Sequence, residues 1–240
     1  MKGVDQDMAT KTDGTNRLIT FAPRWKNLIV TIKGLSPLAM RNRPQSTIEN
    51  LRRKDNGLPT INYKSSDWRR FIDSIHWIDE SKKPNTLDDS ITEEQYEEQF
   101  NKLLEESEKT GEPLFYIPTE AFKESICSGA YRNGISKDKV SMRGSFIIIG
   151  DKAPISFSSV EMEAVPTINK NAKGAMVISV YSKFNDWETT LKINYNEELI
   201  SAENLINIIC ASGLSVGVLA RRTELSFGKY GTFTASQVKQ

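Results

Sequence analysis

The 240-residue chain contains one histidine, His76, and two cysteines, Cys127 and Cys210. An imidazole titrates near neutral pH, which makes histidine a common acid–base group. Here, however, Trp68, Phe71, Ile72, Ile75 and His76 recur at helical spacing, so the ring lies on an apolar helix face beside Trp77. A packing role is the expectation. A zinc site needs about four ligands at close spacing, and two distant cysteines with one histidine do not supply them. Both cysteines fall in segments read as helices and are expected to be buried free thiols of a reducing compartment.

Two other patterns could be read as chemistry. Glu93-Glu94, Glu97-Glu98 and Glu105-Glu106 pair their carboxylates, but Tyr96, Phe100 and Leu103 take the opposite face of the same helix. The acids therefore belong to its solvated side. Gly228-Lys229 resembles part of a phosphate loop, yet position 223 is threonine where glycine is required and Tyr230 stands where Ser or Thr would hold magnesium. No catalytic residue, metal or cofactor is expected, and the chain reads as a binding protein.

The segment with binding chemistry runs from Gly213 to Gly231. Its four glycines permit close approach of backbone to a ligand. Arg221, Arg222 and Lys229 offer charge to phosphates, and Phe227 and Tyr230 offer stacking faces. Two further basic groups lie in loop-like sequence: Arg41, Arg43, Arg52, Arg53 and Lys54, then Arg132, Lys137, Lys139 and Arg143. The net charge of +1 conceals an uneven distribution, because Asp79 to Glu112 carries −8 and the rest of the chain +9. A basic body with an acidic appendage is permissive for a polyanion.

Hydrophobic residues make up 38% and charged residues 26%, the composition of a globular protein with a core. No run approaches the roughly 20 apolar residues of a membrane span. The polar start, Met1 to Asn16, lacks a signal-peptide core. A cytoplasmic protein with no membrane partner is expected. Residues 1 to about 24 read as a flexible arm, and 25–240 as a single domain interrupted by an acidic helical insertion at 79–112.

Periodicity places a strand at Lys26 to Lys33, then a mostly looped stretch with a helical turn near Ile48 to Arg53. A helix through Trp68 to His76 is capped by Ser66 or Asp67, and a second from Thr92 to Lys109 opens on a Thr92/Gln95 capping box and ends at Gly111. A short strand at Leu114 to Ile117 runs into a helix capped by Thr119, carrying Phe122, Ile126 and Ala130 and ended by Gly134. Strands follow at Ser145 to Ile149, Ser156 to Ile168, Ala175 to Phe184 and Trp187 to Tyr195. The last two are joined by Asn185-Asp186 as a tight hairpin. Ser201 caps a helix closed by Gly213, and a strand at Tyr230 to Ala235 ends the chain. Reduced to its core, the order is that of an α+β, ferredoxin-like (RRM-like) βαββαβ fold with insertions.

Three pieces of sequence carry a family resemblance: Ile32-Lys33-Gly34-Leu35-Ser36-Pro37-Leu38, Tyr116 to Ile126, and Gly217 with Gly228-Lys229-Tyr230-Gly231-Thr232-Phe233. Their order resembles a group of bacteriophage and mobile-element proteins and, more distantly, the RAMP (repeat-associated mysterious protein) superfamily of CRISPR backbone subunits. Members of that superfamily pair an Ile-Pro-x-x-x-Leu-Lys-Gly turn with a glycine-rich loop before the last strand. This chain has Phe122-Lys123-Glu124 in place of Leu-Lys-Gly, and Leu219-Ala220-Arg221-Arg222 after Gly217. The resemblance spans Leu28 to Ala235 in patches. It implies a ferredoxin-like core, a glycine-rich loop against a nucleic-acid backbone and side-by-side assembly along a strand, in a bacterial host cytoplasm.

The leading expectation is a non-catalytic protein that binds single-stranded DNA or RNA, forming a homo-oligomer or assembling with related subunits. Its candidate contacts are Arg221, Arg222, Lys229, Tyr230, Arg41, Arg43, Arg132, Arg143 and Lys123, the last at the lysine of the Ile-Pro turn. The alternative is a protein-interaction module, a phage accessory or counter-defence factor that docks through the acidic helix. A metal-independent endoribonuclease is the third reading, with His76 as the sole histidine available to it.

Overall fold

The computed structural model describes residues 24–169, 175–224 and 229–238. The arm expected at 1–24 lies almost wholly outside them, as do Phe227 and Gly228. Fifteen elements follow in order: β1 (Trp25–Gly34), β2 (Leu38–Met40), α1 (Gln45–Asp55), α2 (Asp67–Ser74), α3 (Glu93–Thr110), β3 (Tyr116–Pro118), α4 (Thr119–Arg132), α5 (Lys139–Ser145), β4 (Phe146–Ile148), β5 (Lys152–Ser156), β6 (Ser159–Asn169), β7 (Ala175–Asn185), β8 (Glu188–Asn196), α6 (Ala202–Ser215) and β9 (Phe233–Gln237). No helix among the described residues is long and apolar enough to cross a membrane.

The architecture is α+β, with two antiparallel sheets. The larger runs β3-β5-β8-β1-β9, with β4 also on β8, and the smaller runs β2-β7-β6. β1 alternates Leu28, Val30 and Ile32 inward, and β8 answers with Leu191 and Ile193, all buried. That period of two is what a half-buried strand requires. Helices α4 and α6 pack on each other and on this sheet, bringing Phe122, Ile126, Leu205 and Ile209 into the core. Burial of side chains of this size stabilises by roughly 1.5–3 kcal/mol each.

The acidic helix α3 forms as its sequence predicts. Thr92 and Gln95 make the reciprocal capping box, and Gly111 closes the helix at φ +72°. Its stripe packs on its own chain: Phe100 lies 5.1 Å from Phe71 and 6.0 Å from Phe115, ring centre to ring centre. The hydroxyl of Tyr96 donates to the Asn85 carbonyl at 2.9 Å.

Six expectations are corrected. The stretch read as mostly loop with a helical turn near Ile48 to Arg53 forms an eleven-residue helix, α1, whose last turn carries Arg52, Arg53 and Lys54. The hairpin expected between β7 and β8 does not form, because the two strands belong to different sheets. β7 instead pairs with β6 from Ser159↔Asn185 to Asn169↔Ala175, while β8 pairs with β1. Asp186 turns the chain at φ +48°, and the indole of Trp187 is buried, donating to the Ser36 carbonyl at 2.9 Å. That anchor carries the chain across to the second sheet. Helix α2 stops at Ser74, leaving Ile75 and His76 in extended chain, although Ser66 caps it as expected. Thr119 does not cap α4; Pro118 precedes the helix and the Thr119 hydroxyl donates to the Gly150 carbonyl. Gly213 lies inside α6 rather than ending it; the helix packs so closely on β9 there that a Cβ would meet the Phe233 carbonyl. The last strand begins at Phe233, three residues later than predicted.

Candidate nucleic-acid interface

The glycine-rich loop leaves α6 at Val216 and crosses to β9. Gly217 and Gly231 both adopt positive φ, +73° and +67°, and face each other across the loop, with the Val218 amide donating to the Gly231 carbonyl at 2.9 Å. A Cβ on Gly231 would strike the Val218 carbonyl. Leu219 and Arg221 also have positive φ, +62° and +54°, without being glycine. Such a conformation costs on the order of 1 kcal/mol per residue and persists only where surrounding contacts hold it.

For Arg221 the contacts form a ladder. Its guanidinium lies 4.4 Å from the centre of the Tyr230 ring and 5.5 Å from that of Tyr181; Arg41 covers Tyr181 at 5.6 Å. Cation–π geometry of this kind favours both stacking and fixed orientation. Glu163 stands opposite Tyr181 in the β6–β7 register and joins the ladder from below. Its Oε1 accepts from the Tyr230 hydroxyl at 2.7 Å and lies 2.9 Å from Arg221 Nη1, an ion-pair distance without hydrogen-bond alignment. Partial burial and the Glu163 contact together raise the Tyr230 phenol above its usual pKa.

The predicted contact residues thus divide into groups. Arg41, Arg221 and Tyr230 meet in the ladder, with Lys229 exposed beside Tyr230 and Arg43 exposed two residues beyond Arg41. Arg222 is held internally: Nε and Nη2 reach Glu224 Oε2 at 3.2 and 2.9 Å, and Nη1 donates to the Leu219 carbonyl. Arg132 reaches the other oxygen of Glu224 at 2.8 Å. One carboxylate therefore serves two guanidinium groups. Burial pushes the Glu224 carboxyl upward, but Arg222 and Arg132 outweigh it and hold it below the usual value.

Lys123 on α4 and Arg143 on α5 lie in a separate region between those two helices. Lys123 donates to the Phe146 carbonyl at 3.1 Å and lies over the Phe146 ring. Arg143 pairs with Glu124 Oε2, and Lys139 with Glu124 Oε1 at 3.1 Å. Burial raises the Glu124 carboxyl, and hydrogen bonds from Arg143, Lys139 and Ser128 more than reverse this, leaving it lowered to about 2.

Two members of the ladder, Tyr181 and Glu163, escape sequence reasoning. Neither stands in a motif, and only the long β6–β7 register brings them under the loop. His76 is half-buried with its ring 5.5 Å from that of Tyr116, and burial lowers its pKa to about 4. Cys127 is buried and free, and burial raises its thiol pKa; Cys210 is free and half-buried.

No protein-family model matches the chain, and no curated protein matches its sequence. Among solved structures, the chain is similar to one described as the Type III-B Cmr-beta complex bound to cognate target RNA. The identity is 13% and the TM-score 0.43, over 89% of this chain and 61% of the other. The chain thus spans less than two thirds of the length of that relative.

Proposed function

We propose that this protein is a non-catalytic binder of single-stranded nucleic acid, and that the strand runs past the β6–β7 hairpin and the glycine-rich loop. The observation that carries the reading is the Tyr230–Arg221–Tyr181–Arg41 ladder, with Arg41, Arg43 and Lys229 at its exposed rim. Exposed cations meet phosphates, and the half-buried Tyr230 offers a planar face to a base, while buried Tyr181 anchors the stack from within. The strained backbone at Arg221 supports the same reading, since such conformations concentrate at ligand-contacting sites.

A ferredoxin-like core is supported by the order β9-β1-β8-β5 with α4 and α6 as its two helices. That order is compatible with the RAMP-like reading of the sequence. The ionic groups around Glu124 and Glu224 serve in this proposal to shape the surface rather than to grip phosphate.

A mobility-shift titration with single-stranded DNA, single-stranded RNA and duplex tests the proposal. Micromolar or tighter binding to a single strand is expected, weakening steeply as salt rises because bound phosphates release counterions. No shift at low salt with any of the three overturns it.

A further inference from the structure

A cavity of about 270 Å³ opens beside the ladder, between the start of α1, helix α2 and strand β7. Arg41 lines both features. Its wall also includes Lys64, Arg69 and Arg70, with Asp73 as the lining carboxylate. Two of these charges are answered within the protein. Buried Arg69 pairs with Asp89 Oδ1 at 2.5 Å and donates to the Lys64 and Asp88 carbonyls. Buried Asp73 pairs with Lys83 at 2.8 Å and accepts from the Thr86 hydroxyl and the Gln45 amide.

Arg41, Lys64 and Arg70 are differently placed. Arg41 meets no carboxylate among the described residues, and Lys64 Nζ meets only the Asp89 carbonyl, at 3.3 Å. Arg70 donates to Ser65 Oγ at 2.9 Å and lies 3.7 Å from the half-exposed Asp67 carboxylate. The cavity therefore carries an excess of positive charge over a rigid, neutralised floor. Ser46 and Thr47, in the first turn of α1, line it as well. Pro44 at the capping position gives that turn no side-chain cap of its own, and its first amide, Gln45, is answered by the Asp73 carboxylate at 3.0 Å. Ser46 and Thr47 therefore add hydroxyl donors, rather than an unanswered helix charge, to the three side chains. Half-buried Tyr63 supplies an aromatic wall.

We propose that this cavity binds one phosphate-bearing nucleotide unit, its phosphate between Arg41, Arg70 and the α1 first turn and its base against Tyr63. The volume lies just under the roughly 300 Å³ at which small-molecule sites begin, the scale of one nucleotide unit rather than several. The nucleotide comes either from the bound strand, in which case the proposal rests on the reading above, or from free solution.

Thr47→Glu is the discriminating variant. A carboxylate in the first turn of a helix favours folding, while at this position it repels phosphate. Thr47→Gln keeps the size without the charge. Titration of the full chain with adenosine 5′-monophosphate and with inorganic phosphate is expected to show binding that Thr47→Glu weakens by about tenfold or more and Thr47→Gln by less than about threefold. Competition by the mononucleotide against a short single strand, lost in Thr47→Glu, identifies the strand as the source. Mononucleotide binding without competition, still lost in Thr47→Glu, identifies free nucleotide and upholds the cavity even if no strand is bound. Equal behaviour of wild type and Thr47→Glu toward both probes overturns the proposal, and a persisting strand shift would then leave the broader reading intact.

Discussion

Around α4, Lys139 and Arg143 close on Glu124, whereas beside the β6–β7 hairpin Arg41 and Arg43 meet no carboxylate among the described residues. The two clusters are equally basic as sequence. In the fold, the first is an internal bracket that ties α5 to α4, and the second is an exposed rim. What separates them is one acidic side chain, Glu124, placed four residues before Ser128 and eight before Arg132 on the same helix. Within the second region the same division recurs on a smaller scale. Arg222 and Arg132 share Glu224, and Arg221 leans on Glu163, so three of the loop-side arginines hold the loop in shape. Charge counted along a sequence overstates charge available to a ligand.

The comparison is broken most directly by mutating each cluster in turn. Replacing Arg41, Arg43 and Lys229 together by alanine should weaken single-strand binding by about a hundredfold at low salt and reduce the salt slope by about two, as expected for the loss of three phosphate contacts. Replacing Lys139 and Arg143 by alanine should change affinity by less than about twofold, since their charge is already answered. Fluorescence anisotropy on a labelled strand measures both. Equal losses in the two variants would show that Glu124 does not withhold its partners from the strand.

Much of this division was not legible beforehand, and the reason is physical. Local signals were readable wherever the determinant is local. The α3 capping box, the Ser66 and Ser201 caps and the alternation of β1 each depend on residues within one or two turns. Arg41, Arg221 and Tyr230 could be singled out as separate residues because charge and aromaticity are visible one at a time. Their meeting over Tyr181 and Glu163 could not, because it depends on the pairing of β6 with β7 rather than β7 with β8. Asn185-Asp186 suits a tight turn by type, yet burial of Trp187 and its bond to the Ser36 carbonyl divert the chain. A long-range contact there outweighed a turn preference that is real but weak.

Acid sensitivity sharpens the contrast, because the α4 cluster and the half-buried histidine lose stability in different pH windows. His76 has its pKa lowered from 6.5 to about 4, so the unfolded chain takes up the proton first. Its share of stability is complete above pH 6.5 and falls by roughly 1–3 kcal/mol as pH drops toward 4. Glu124 is lowered from 4.5 to about 2, so its contribution is intact above pH 4.5 and lost only below that. The half-exposed pair is screened, which limits its effect to about 1 kcal/mol or less. Urea melts at pH 7.5, 5.0 and 3.5 should therefore show His76→Gln flattening the upper window and Glu124→Gln the lower. Strand affinity at neutral pH should be unchanged in both. Loss of binding or of any RNA-cleaving activity in His76→Gln would give the histidine a functional role and overturn the non-catalytic reading.

The smallest effect is expected on α3, and it decides what the acidic segment is for. Its stripe is already buried on its own chain, through Tyr96 and Phe100 against α2 and the Phe115 region, so no partner is needed to cover it. Its carboxylates point to solvent, with Glu105 making one exposed pair to Lys109 at 3.6 Å. Converting Glu94, Glu97, Glu98 and Glu105 to Gln removes four negative charges without touching that packing, so the melting temperature should shift only slightly. Repulsion of an approaching strand would fall, and affinity should stay the same or tighten by up to about twofold at low salt. That gain should vanish at physiological ionic strength, where charges more than about 8 Å apart are screened. Weaker strand binding in this variant would place the helix at the strand after all. Absence of strand binding in the wild type, together with loss of a protein partner in the variant, would instead make the acidic face the working surface and the ladder a structural clamp.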